Sequence, residues 1–162
     1  MQGVTHDYVR HGTTLFAALD IANGEVLADC QPYHRHQEFV SFLRQIEANV
    51  PQDLDIHLVL DNYAAHKHEK VRGWLARHPR YHLHFVPMYS SWLNQVERWF
   101  TLITQRAIRR GSFRSVKELT AKIDQFVSKY NKTAKPFTWV ATADSILAKI
   151  DCLCQRISGT GQ

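Results

Sequence analysis

Two stretches decide the fold: His57-Leu58-Val59-Leu60-Asp61-Asn62-Tyr63-Ala64-Ala65-His66-Lys67, and Ser90-Ser91-Trp92-Leu93-Asn94-Gln95-Val96-Glu97-Arg98-Trp99-Phe100. Leu58-Val59-Leu60 reads as a buried apolar strand that ends on an acid, Asp61. The second stretch reads as a helix with Trp92, Val96, Trp99, Phe100 and Ile103 on its apolar side and Glu97 turned away from it. A carboxylate where a buried strand stops and another on a polar helix face can converge on one cation. Magnesium takes oxygen ligands, usually one or two carboxylates plus substrate phosphate oxygens. Singly, each acid has an ordinary explanation, Asp61 as a turn cap and Glu97 as a solvated helix acid.

The surrounding chain alternates strands with helices. Thr14–Asp20 reads as a strand, Ala22-Asn23-Gly24 as a hairpin turn with Gly at positive φ, and Glu25–Cys30 as the returning strand. Phe39, Leu43 and Ile46 fall at i, i+4 and i+7 and predict an amphipathic helix over 36–49, closed by Pro51. A helix over about 67–78 stops at Pro79, and His82-Leu83-His84-Phe85-Val86 reads as one more strand. The Glu97 helix is expected to run to about Arg109. Ser115-Val116-Lys117-Glu118 has the capping-box pattern and opens a helix carrying Leu119, Ile123, Phe126, Val127 and Tyr130. A last helix is expected over about 143–154. Residues 1–13 read as an irregular lead-in, 14–154 as one α/β domain and 155–162 as a flexible tail.

Composition sets bounds. The 162 residues suffice for one domain with a sizeable core, and 44% hydrophobic with 22% charged residues is ordinary for a globular protein. No apolar run is long enough to span a membrane and no basic-then-apolar signal opens the chain, so it reads as cytoplasmic. Net charge +5 and pI near 9.2 are compatible with a polyanionic partner. Cys30, Cys152 and Cys154 are expected as reduced thiols. The pairs His34/His36, His66/His68 and His82/His84 raise a zinc-binding alternative, although nothing in their spacing makes three or four ligands converge.

Asp61-Asn62 followed by His66 resembles the second acidic motif of the DDE transposases of the mariner superfamily and their bacterial insertion-sequence relatives. Ser91-Trp92-Leu93-Asn94-Gln95-Val96-Glu97-Arg98-Trp99 is similar to the third. Positions 62 to 96 separate the acids, an interval of the sort that family uses. The resemblance implies a ribonuclease-H-like α/β fold, a mixed sheet flanked by helices, here without the usual first strand and the first catalytic Asp. Asp7 and Asp20 are the only nearby substitutes for that acid. An N-terminally truncated transposase is therefore expected.

The family's reaction is phosphoryl transfer: DNA strand cleavage and strand transfer at a two-metal site holding Mg²⁺ or Mn²⁺. The resemblance assigns Asp61 and Glu97 to metal ligation, with Asn62, His66 and Asn94 in support. Arg98, Arg106, Arg109, Arg110, Arg114 and Lys117 form a basic group near Glu97, suited to phosphate contacts that confer affinity without sequence choice. DNA, as transposon ends and target, is the expected partner, together with a second copy or a further transposase segment. The alternatives are an inactive DNA-binding or assembly remnant and a zinc-binding structural protein.

Overall fold

In the computed structural model the described residues are 2–5, 12–61, 63–86, 95–109 and 111–136; for 2–5 only the backbone course is described. The elements are β1 (Gln2–Thr5), β2 (Thr14–Leu19), β3 (Val26–Gln31), α1 (His36–Asn49), β4 (Ile56–Leu60), α2 (Glu69–Leu75), β5 (Tyr81–Phe85), α3 (Gln95–Ile103) and α4 (Val116–Asn131). A 3₁₀ turn, Ala64–Lys67, precedes α2, and a π-helical turn, Thr104–Ile108, extends α3. β1, β2 and β3 form an antiparallel sheet in that order, and β4 pairs in parallel with β5. β1 also lies alongside β4, so the strands run β3-β2-β1-β4-β5 across the molecule.

The strand β1 takes residues 2–5 of the segment expected as an irregular lead-in, and it lies between β2 and β4. Gln2-Gly3-Val4-Thr5 has no apolar alternation to reveal it. Its ladder to β2, from Gln2 opposite Leu19 to Thr5 opposite Phe16, is made of backbone groups, which pair whatever the side chains. β1 carries no acid.

β2 is buried on both faces, and this sorts the core into two layers. Leu15, Ala17 and Leu19 pack with Val96, Trp99 and Ile103 of α3 and with Leu119 and Ile123 of α4. Phe16 and Ala18 face the other way, onto Phe39, Phe42, Leu43 and Ile46 of α1 and onto Ile56, Leu58 and Leu60 of β4. Full burial of each large side chain contributes about 1.5–3 kcal/mol. The Tyr81 hydroxyl donates to the Leu43 carbonyl at 3.0 Å inside this second layer, tying β5 to α1.

The hairpin turn forms as its sequence predicts. Gly24 has φ +79°, its N–H donates to the Asp20 carbonyl (2.7 Å), and the Asp20 carboxylate accepts from Ala22 N–H (3.0 Å). At the start of α4, Ser115 Oγ accepts from Glu118 N–H as a capping residue should. The Glu118 carboxylate accepts one residue further out, from Arg114 N–H (2.8 Å). The 67–78 helix is shorter than expected because His68 interrupts it, its Nδ1 accepting from Lys70 N–H to cap α2. The α3 helix ends at Ile103 and continues as the π turn, in which Arg109 N–H reaches back to the Thr104 carbonyl. The helix expected over 143–154, together with Cys152 and Cys154, lies outside the described residues.

Asn131, the last residue of α4, closes the first layer. Its Oδ1 accepts from Val26 N–H and its Nδ2 donates to the Val26 carbonyl, both at 2.9 Å, so one side chain imitates a strand neighbour at the start of β3. We expect Asn131→Ala to cost about 2 kcal/mol by stranding both backbone groups. Urea denaturation measures this, and a loss within about 0.5 kcal/mol would refute the pinning role.

Candidate active site at the carboxyl ends of the parallel strands

Because β4 and β5 are parallel, their carboxyl ends open on the same edge, where ligands of open α/β sheets bind. Leu60 is the last buried apolar residue of β4, and Asp61 follows it directly. The Asp61 carboxylate is held from two sides: Oδ1 accepts from Tyr63 N–H at 3.3 Å and lies 3.2 Å from His66 Nδ1. Its side chain remains 31% exposed, so solvent still reaches it.

His66 is buried at 1% exposure, carried inward by the 3₁₀ turn. Its ring packs 4.4 Å from that of Phe39 on α1, and the backbone carbonyl of Asp61 also lies 3.4 Å from Nδ1. With its proton on Nδ1 the imidazole donates to Asp61 and fixes the carboxylate's orientation. His66 and Asp61, both named from the sequence, thus lie in contact. His34, not foreseen at this site, stacks on Tyr63 (4.5 Å between centroids) with its edge against Phe16 (5.0 Å).

The histidine pairs thus serve packing across two loops. His34 faces Tyr63 and His66, while His36 stacks on His68 at 3.7 Å with rings 4° from parallel. Burial, and then the charges of His68 and Lys70, hold the His36 pKa below its ordinary value. On the outer face of β4 and β5, His57 stacks between His82 and His84, its Nδ1 lying 3.0 Å from His84 Nε2. Among the described residues no three histidine, cysteine or acidic side chains are placed to hold a metal together. Burial pushes the Cys30 thiol up to about 11, so this residue is a packing group, with little thiolate at neutral pH.

Glu97 stands half-exposed in the first turn of α3, on the side away from Val96, Trp99, Phe100 and Ile103. That helix packs on β1 and β2, and β1 in turn touches β4, so β1 is the element that links the two acid-bearing segments. Asp20, one of the two substitute acids, belongs to the hairpin turn at the end of β2 remote from Thr14 and Gln31. The local hydrogen bonds of that turn occupy it. Asp7, Asn62, Asn94 and Arg110 lie outside the described residues.

Of the expected basic group, Arg98, Arg106, Arg109, Arg114 and Lys117 are all exposed. Arg106 lines a cavity of about 470 Å³ with Lys122 and Lys129 of α4, two cations that sequence reasoning passed over. Their seven-residue spacing on one helix is the signal that would have found them.

The match to known proteins covers both acids but not all of the basic cavity. Residues 5–120, containing both acids, match the family described as DDE superfamily endonuclease, and the chain belongs to it. It is similar to the insertion element IS630 uncharacterized 39 kDa protein of Shigella sonnei, 30% identical over 99 residues. That alignment covers 61% of this chain and 28% of the relative, so the chain spans under a third of that protein's length. In three dimensions it resembles a chain of the simian T-cell lymphotropic virus intasome, solved by cryo-electron microscopy in complex with PP2A regulatory subunit B56 gamma. The TM-score is 0.55 at 18% identity, over 75% of this chain and 45% of that one. Among the described residues no helix is long and apolar enough to cross a membrane.

Proposed function

We propose that the chain is part of the catalytic core of an insertion-sequence transposase, ribonuclease-H-like in fold, with Asp61 and Glu97 as two of its metal-binding acids. The carrying observation is Asp61 itself: a half-exposed carboxylate at the end of a buried parallel strand, oriented by a buried histidine. Its oxygens and those of Glu97 are hard donors that fit Mg²⁺ or Mn²⁺. When bound, such ions supply Lewis-acid activation for phosphoryl transfer in DNA strand cleavage and strand transfer. The chain's own residues do the positioning. His66 holds the Asp61 carboxylate, the sequence motifs give Asn62 and Asn94 a supporting role, and Arg98, Arg106, Arg109, Arg110, Arg114 and Lys117 contact DNA phosphates. Transposon ends and target DNA are the substrates, in the cytoplasm.

β1 carries no acid, and Asp7 just beyond it lies outside the described residues; the first acid of the triad comes in this reading from Asp7, a further transposase segment or a second copy. The same observation favours one alternative, an inactive DNA-binding or assembly remnant that keeps the fold without turnover.

Calorimetric titration with Mn²⁺ separates the two. We expect binding that is lost in both Asp61→Asn and Glu97→Gln and weakened about tenfold in His66→Gln, the scale of removing a residue that orients a metal ligand. Manganese binding indifferent to both acid substitutions would refute the shared metal site. No manganese binding by the unmodified chain would favour the remnant.

A further inference from the structure

The groove between α3 and α4 has features that the acid-centred site does not use. On α4, Lys122, Gln125, Phe126, Lys129 and Tyr130 fall at i, i+3, i+4, i+7 and i+8, and so share one face. Together with Arg106 from the π turn they line the cavity of about 470 Å³, in the size range of small-ligand pockets. Its wall is aromatic and its rim cationic. The rings of Phe126 and Tyr130 lie 22° from parallel and 6.3 Å apart, both half-buried, with Trp99 edge-on to Tyr130 behind them. Lys122, Lys129 and Arg106 are exposed, and among the described residues no carboxylate lines the cavity.

Tyr130 also borders a second hollow of about 250 Å³, shared with Gln95, Arg98 and Trp99. There the buried Gln95 Oε1 and Trp99 Nε1 have no hydrogen-bond partner among the described residues. A row of cations with an aromatic step in the middle suits a polyanion with flat faces.

We propose that the α3–α4 groove binds single-stranded DNA, its bases stacking on Tyr130 and Phe126 and its phosphates held by Arg106, Lys122 and Lys129. Duplex DNA keeps its bases stacked on one another and offers the groove only phosphates. A single strand offers both groups. The choice of DNA as the polymer rests on the proposed transposase function, while the stacking and charge geometry stands independently of the acids.

The test is fluorescence anisotropy with a labelled twelve-nucleotide oligothymidylate, in EDTA so that the metal site plays no part. We expect Tyr130→Leu to weaken binding about tenfold and Tyr130→Phe to leave it nearly unchanged, as removal and retention of one stacked base would. For three phosphate contacts the log–log salt slope is about −2, and in the Lys122→Glu/Lys129→Glu variant it falls to about −0.7. A duplex of the same length should bind more weakly than the single strand. Wild-type affinity in Tyr130→Leu, equal affinity for duplex, or tighter binding of oligouridylate each overturns the proposal. Should Tyr130→Leu lower the melting temperature, the two exposed lysines decide alone: an unchanged salt slope in their variant overturns it. Failure of manganese binding at Asp61 and Glu97 would leave these outcomes untouched, so the two proposals fail separately.

Discussion

Phe16→Ala is expected to destabilise the protein by about 3–5 kcal/mol, the range for emptying a buried aromatic site. Phe16 is fully buried at the middle of β2, its ring 5.7 Å from that of Phe42 and 5.0 Å from that of His34. Strand and helix both border the resulting cavity, and neither can close it without losing its other contacts. For a chain of this length the loss corresponds to a fall in melting temperature of about 10 °C or more. The Phe16 contact also supports His34, which stacks on Tyr63 beside the Asp61–His66 pair. A weaker response to manganese should therefore accompany the lower melting point. Phe85→Ala provides the contrast, since Phe85 is 40% exposed and its removal should cost under about 1 kcal/mol. Thermal melts followed by circular dichroism compare the two, and equal losses would show that β2 is not the centre of the core.

Gly24→Ala carries the second large effect, about 2–4 kcal/mol. At φ +79° an alanine is strained by roughly 1–2 kcal/mol. The larger part comes from space, because a β-carbon at Gly24 would meet the Lys135 backbone carbonyl directly. The segment after α4 would have to move away, and the Asn131 hydrogen bonds to Val26 lie only four residues upstream. Gly12 isolates the two contributions. Its φ is +76°, yet no described residue lies within 4 Å of the equivalent β-carbon, so Gly12→Ala should show the backbone strain alone. Equal destabilisation of the two variants in urea would mean that the α4 terminus does not press on the hairpin.

The periodic elements were legible in the sequence for physical reasons. Phe39, Leu43 and Ile46 could bury together only on a helix, and α1 runs over His36–Asn49 with all three inside. Leu58 and Leu60 needed a strand, and Asp61 follows β4 directly, as the motif implied. Gly24 took its positive φ, and Ser115 took its cap. On the apolar side of α3, Val96, Trp99, Phe100 and Ile103 are buried as expected, because a helix face is set by residue spacing alone; Trp92 lies outside the described residues.

Other features depended on neighbours. β1 has no side-chain pattern and exists through the backbone edge that β2 offers it. His68 looked like a helix residue until its ring was needed to cap α2 and stack on His36. The π turn after Ile103 follows no local rule, and it carries Arg106 to the cavity it shares with Lys122 and Lys129.

By itself the sequence determined which residues of the periodic elements turn inward, and the two acidic motifs whose resemblance agrees with membership of the DDE superfamily endonucleases. Those properties follow from periodicity and from residue order, and both are local. Only the tertiary structure decided that His66 is buried against Asp61, that His34 joins it from the loop after β3, and that cations from two helices meet around Tyr130. The last two are contacts between residues distant along the chain, and packing of the two layers against β2 brings them together.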